Sequence, residues 1–113
     1  APAVAADPIF NGKDLTGCKP TGKADAWAVE DGAIVCKSGG GGWLLTEKEY
    51  GDFELTFEYR FLKPGTNSGV ALRTPAAGNP AYVGMEIQLI DDEGWEGVHK
   101  FALKDYQHTG SIY

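Results

Sequence analysis

Gly84-Met85-Glu86-Ile87-Gln88-Leu89-Ile90-Asp91-Asp92 alternates apolar and polar side chains along its length. Successive side chains of an extended chain point to opposite faces, so Met85, Ile87 and Leu89 are assigned to a core face and Glu86 and Gln88 to the other. The same alternation runs more strictly from Phe53 to Phe61, with Phe53, Leu55, Phe57, Tyr59 and Phe61 on one side and Glu54, Thr56, Glu58 and Arg60 on the other. That pattern predicts a long, half-buried antiparallel strand that dominates its side of the core. Burying each large apolar side chain is worth roughly 1.5–3 kcal/mol, so Phe57→Asp is expected to unfold the domain.

Working outward, Trp27–Glu30 and Ala33–Cys36 flank Asp31-Gly32, the turn dipeptide of a two-residue hairpin. Pro8-Ile9-Phe10 before Asn11-Gly12 reads as a short strand closed by a turn, Trp43–Thr46 as a strand, and Val70–Arg73 as a strand after the turn Lys63–Gly69. Ser38–Gly42 and Thr74–Pro80 read as loops, and Asp92–Gly97 as a polar loop. Val98–Tyr106 fits a short helix or irregular structure equally well, and Gly110–Tyr113 resembles the start of another strand. The Gly run carries no Lys-Ser/Thr and leads into no helix-forming stretch, so it is not a phosphate cradle. Short strands with Gly, Pro and Asn turns predict an all-β antiparallel sandwich or barrel.

The chain has 113 residues, one domain by length, with a net charge of -6, 42% hydrophobic residues and 16 glycines. Its acidic balance repels phosphate backbones, which argues against nucleic acid. No apolar run approaches the ~20 residues of a membrane span. Residues 1–7 have the small, apolar make-up of a short leader or of the remnant of an export signal. Cys18 and Cys36 lack the spacing of a zinc site; a disulfide and two separate thiols both fit them.

Glu86 and Gln88 share a strand face, and Arg73 joins them if the two strands are neighbours. A carboxylate, an amide and a guanidinium on one surface can move a proton, bind hydroxyls and hold an oxyanion. The alternative is a solvated face with an ordinary cross-strand ion pair. Gly69 and Ala71 are small on that face and leave room for a ligand. Asp91, Asp92 and Glu93 offer oxygen ligands for a divalent cation, although the twelve-residue calcium-loop spacing is absent. His99 and His108 adjoin no nucleophile motif, which argues against a catalytic triad. Trp27, Trp43, Trp95 and Tyr82 can stack on sugar rings; Trp27 and Trp43 fit the core better, and Trp95, in its polar loop, is the platform candidate.

Taken in order, Ile9–Gly17, Val29–Gly32, Trp43–Thr46 with Tyr50–Leu55, Asn67–Arg73, Gly84–Asp92 and Thr109–Tyr113 resemble the 3-keto-disaccharide hydrolase domain family, formerly a domain of unknown function. The resemblance implies a concanavalin A-like jelly-roll sandwich over residues 8–113, bacterial export to the periplasm or medium, and action on carbohydrate. It also implies that the family domain continues past Tyr113, so that this chain is its N-terminal portion. An incomplete sandwich exposes sheet edges and core, which predicts a homo-oligomer or a complementing C-terminal segment. Cys18 stands where the family often has Trp.

The implied chemistry is base-assisted elimination from a 3-keto-glycoside followed by hydration. Glu86 is then the acid or base and Arg73 the oxyanion or hydroxyl partner, with Gln88, Asn67, Trp95, His108 and Tyr82 as substrate-binding residues. No metal ligand and no certain cofactor is assigned. The competing readings are a non-catalytic carbohydrate-binding module, a structural domain of a cell-surface protein, and a two-carboxylate glycosidase. The last is disfavoured because Gln88 is an amide where a second acid is wanted.

Overall fold

The computed structural model describes residues 7–37, 42–75 and 83–113. The readings made for residues 1–6, for residues 38–41 and for residues 76–82, Tyr82 among them, fall outside these residues. The named strands are β1 (Cys18–Thr21), β2 (Trp27–Glu30), β3 (Ala33–Cys36), β4 (Trp43–Thr46), β5 (Asn67–Leu72) and β6 (Met85–Ile90). All of their pairings are antiparallel, β1 with β4, β2 with β3 and β5 with β6. Helical structure among the described residues includes α1 (Trp95–His99), two single 3₁₀ turns and Val83. The all-β class read from the sequence holds. Backbone contacts group residues 1–54 and 55–113 into two compact units.

In the first unit β2 and β3 form the expected hairpin, with Glu30 opposite Ala33. Asp31 and Gly32 have φ of 51° and 75°. Positive φ at both central residues is what a type I′ turn needs to match the twist of its strands. Asn11 also nucleates a turn: its Oδ1 accepts from the amides of Lys13 and Asp14 at 2.8 and 2.9 Å. The strand expected over Pro8–Phe10 does not form. Instead Cys18-Lys19-Pro20-Thr21 pairs with β4, and the Thr21 hydroxyl accepts from the Trp43 amide at 3.2 Å. A proline is tolerated in such a two-stranded ladder because one side of each strand needs no ladder donor. Cys18 and Cys36 form no disulfide. Burial first, and the charge of Glu47 second, push the Cys18 thiol above its ordinary pKa.

In the second unit β6 is paired on both edges. β5 lies along one, in a register that sets Gly69 opposite Gln88 and Ala71 opposite Glu86. Along the other runs the chain end. The Tyr113 amide donates to the Glu86 carbonyl at 2.9 Å, the Gln88 amide to the Ser111 carbonyl at 2.9 Å, and Ile87 bridges Ile112. The strand read into Gly110–Tyr113 is thus a ladder partner. Past β6 the segment expected to be a polar loop winds into α1, ended by Lys100 in the left-handed conformation at φ 66°.

Two expectations about packing are overturned. Met85 is 39% exposed and Ile87 and Leu89 are half-buried, whereas Gln88 and Ile90 on the opposite face are 4% and 3% exposed. Alternation fixes which residues share a face, but the cover decides which face is inside. Here the chain around Gln107 covers the Gln88 side. The segment from Phe53 to Phe61 is not in a ladder. Phe57 and Tyr59 are 50% and 49% exposed, so the aromatic face is only half covered. The alternation of a strand is present there without a ladder to go with it.

The turn before β5 joins that strand to α1. Gly65 has φ 73°, its amide donates to Asp91 Oδ2 at 2.8 Å, and His99 Nε2 donates to its carbonyl at 2.9 Å. A β-carbon at Gly65 would lie 2.8 Å from Val98 Cβ. Gly65→Ala is therefore expected to lose about 1–3 kcal/mol, from left-handed backbone strain and the displaced Val98. A urea titration should show the midpoint fall with an unchanged slope.

Candidate functional site

The β5–β6 register places Asn67, Gly69 and Ala71 on the same face as Ile90, Gln88 and Glu86. Cross-strand partners in an antiparallel pair project to one side, so the face is set by backbone hydrogen bonds. Glu86 is half-buried there. Its side chain leans diagonally over Gly69, so that a β-carbon on Gly69 would overlap the carboxylate. The space at Gly69, read from the sequence as room for a ligand, is thus filled by Glu86 itself. Desolvation by burial raises the Glu86 carboxyl above its ordinary pKa of 4.5.

Gln88 sits two residues along and is closed in. Its Nε2 donates to the Gln107 carbonyl at 3.4 Å, and its own backbone carbonyl accepts from the Gly110 amide at 2.9 Å. It holds the 107–110 segment onto the strand. Thr109 continues this attachment with its side chain, taking the Ile90 amide at 3.0 Å and giving to the Ile90 carbonyl at 2.9 Å. A hydroxyl thereby satisfies a strand end that has run out of backbone partners.

His108 is positioned by this attachment. Its Nδ1 donates to Asp92 Oδ1 at 3.0 Å, and the same oxygen accepts from the Thr109 amide at 3.0 Å. Burial opposes ionisation of Asp92, but the Thr109 and His108 hydrogen bonds outweigh it and hold the carboxyl below its usual range. With Nδ1 engaged, Nε2 is the ring nitrogen left to meet a ligand. The sequence marked His108 but read Asp92 only as part of an acidic turn. The two are 16 residues apart, and no local pattern pairs them.

Asp91 has a different task. Its oxygens accept from the amides of Gly65 and Gly94 at 2.8 and 3.0 Å, and these bonds lower its carboxyl pKa. Both oxygens thus face backbone donors. Among the described residues no cluster of three or more His, Cys, Asp or Glu side chains is arranged to hold a metal ion.

Arg73 lies one residue beyond β5, exposed, with φ 50°. The left-handed residue ends the strand, so the two-residue period that assigned Arg73 to the Glu86 face stops before reaching it. Trp95 is stacked on His99 with ring centroids 3.7 Å apart and an angle of 25°. One face of the expected sugar platform is occupied, and its indole N–H is buried without an acceptor among the described residues. Tyr82 is outside the described residues.

Residues 5–113 match the sequence model of a family described as the 3-keto-alpha-glucoside-1,2-lyase-like domain. No curated protein and no solved structure matches the chain.

The raised carboxyl gives a sign for stability. The folded chain holds the Glu86 proton to higher pH than the unfolded chain does. That contribution is complete below the unfolded pKa and is lost as pH rises through the folded one. Glu86→Gln abolishes it. Wild-type stability relative to the variant should therefore fall as pH rises from below 4.5 toward neutrality, as followed by urea unfolding over a pH series. A flat difference would contradict the burial of the carboxyl.

Proposed function

The chain belongs to the 3-keto-alpha-glucoside-1,2-lyase-like domain family, and on that premise we propose that it acts on 3-keto-glycosides, cleaving the glycosidic bond by elimination with Glu86 as the base. The family name supports the carbohydrate class. The observation that carries the chemistry is the half-buried Glu86, whose carboxyl pKa is raised by desolvation. A base whose pKa is moved toward the working pH takes a carbon-bound proton more readily.

A ketone at sugar C3 acidifies the proton on C2. Glu86 takes that proton, and the electron pair forms an enolate between C2 and the C3 oxygen. The ketone then re-forms, the double bond moves to C1–C2, and the C1–oxygen bond breaks. The departing alkoxide takes a proton from the acid that Glu86 has become. Water adds to C1 and a proton to C2 to complete hydrolysis. Arg73 is proposed to meet the enolate oxygen or a neighbouring hydroxyl. Asn67 and His108 Nε2 are proposed as hydroxyl partners, with Trp95 and Tyr82 as ring contacts. Gln88 contributes by fixing the segment that carries His108. The export implied by the family resemblance goes with this reading and sets the work in the periplasm or outside the cell.

Gly69 supports the assignment of Glu86, because only a residue without a β-carbon lets the carboxylate lie where it does. Glu86→Gln is expected to abolish release of the aglycone from a 3-keto-glucoside while the circular dichroism spectrum stays that of the wild type. Retained turnover would remove Glu86 from the mechanism. Gly69→Ala is expected to fold and to slow turnover by about 10²-fold, the usual effect of displacing a reacting group by an ångström or so. The unoxidised parent glucoside should not be cleaved, since its C2 proton has no ketone beside it. Tight binding of the keto-sugar with no turnover would select the non-catalytic binding module instead.

A further inference from the structure

The chain has two histidines, and the fold uses them differently. His99 is committed to the scaffold: its Nε2 donates to the Gly65 carbonyl at 2.9 Å, and its ring is stacked on Trp95. His108 is gripped through Nδ1, which donates to Asp92 Oδ1 at 3.0 Å. That same oxygen accepts from the Thr109 amide at 3.0 Å, so the acceptor is itself fixed to the backbone next to the ring. In a neutral imidazole whose Nδ1 carries the proton, Nε2 is a lone-pair acceptor. Asp92 thereby sets both the direction of the ring and the tautomer it presents.

The ladder around β6 locates His108 relative to Glu86. The Gln107 carbonyl accepts from the Gln88 side-chain amide at 3.4 Å, which lays the 107–108 peptide over the face that Glu86 and Gln88 share. Glu86 leans the other way, over Gly69 of β5, while residues 110–113 run along the opposite edge of β6. Neighbouring strands lie about 4.8 Å apart, so the carboxylate and the His108 backbone stand one to two spacings from each other, roughly 5–10 Å. That is the span of a glycosidic link with one group at each end. A 3-keto-glucoside continues into a second group only through its C1 oxygen, so a side chain set off in this way from a base at C2 is placed for the leaving group. We propose that His108 is the specificity-determining residue for that leaving group, its Nε2 accepting from a hydroxyl of the departing sugar, and that Asp92 is its positioning residue. This rests on the reading of Glu86 as the base at C2.

The test is titration calorimetry on the full chain carrying Glu86→Gln, which is expected to bind without turnover. The two ligands are a 3-keto-glucosyl-glucose and cyclohexyl 3-keto-glucoside, whose leaving groups are rings of similar bulk with and without hydroxyls. The disaccharide should bind about tenfold tighter, the effect of one well-placed hydrogen bond. His108→Phe should erase that preference, and Asp92→Ala should erase it too. Combining the two should cost no more than His108→Phe alone, because Asp92 acts through the ring it orients. Asp92→Asn should keep the preference, since its Oδ1 can accept from both Nδ1 and the Thr109 amide. No preference in the Glu86→Gln chain, a preference that His108→Phe leaves intact, or equal losses for both ligands would each overturn the proposal. Additive losses in the combined variant would remove Asp92 as the positioning residue. Turnover of the disaccharide by the wild-type chain is read separately. Its absence, with the preference still following His108, would remove the elimination chemistry and leave the recognition of the departing sugar standing; turnover without a preference would remove this inference alone.

Discussion

Strand β6 is paired on both edges, and the rest of the second unit hangs on that fact. A strand in the middle of a sheet has its amides and carbonyls satisfied on either side, and water contributes nothing to it. β5 supplies one side. The chain end supplies the other, through the bonds among Glu86, Gln88, Ser111 and Tyr113. Because the 110–113 segment is held there, the residues just before it are drawn across the strand, and the Gln107 carbonyl meets the Gln88 side-chain amide. Gln88 becomes one of the few deeply buried side chains described, and the only polar one among them.

The surroundings of Glu86 follow from the same pairing. Glu86 is neighbour to Gln88 on the covered face and shares its reduced access to water, which raises its carboxyl pKa. The β5 register brings Gly69 beneath it, and glycine is the one residue that leaves the carboxylate its position. The attachment of 107–110 also carries His108 to Asp92, where one carboxylate oxygen orients the ring and anchors the Thr109 amide. Asp91, the adjoining residue, is consumed by the loop amides of Gly65 and Gly94. Two consecutive aspartates are thus divided between the loop amides and the His108–Thr109 segment. Their order in the sequence does not reveal the division, since it depends on which donors the fold brings to each.

Legibility varied with the range of the interaction. The Asp31-Gly32 hairpin was readable to the residue, because a two-residue turn with positive φ sets the register of its own strands. β6 was readable from alternation, and Gly110–Tyr113 from its resemblance to a strand start. β1 was not, because Pro20 and Lys19 interrupt the apolar pattern and its partner lies 22 residues away at Trp43. The Phe53–Phe61 segment shows the opposite failure. Its alternation is the strictest in the chain, yet a pattern declares only that one face is apolar. It cannot supply the neighbouring strand that would bury it.

The amino-acid sequence by itself determined the all-β class, the family and the residues that share each strand face. Those are properties of local geometry: turn chemistry, a period of two, and motif order. Only the tertiary structure decided that the Glu86–Gln88 face is the covered one, that Gly69 makes space for a carboxylate and not for a ligand, and that His108 is held by Asp92. Each of these depends on a contact between segments far apart in the chain. Such contacts are chosen by which hydrogen-bonding and apolar surfaces remain to be satisfied after the local elements have formed.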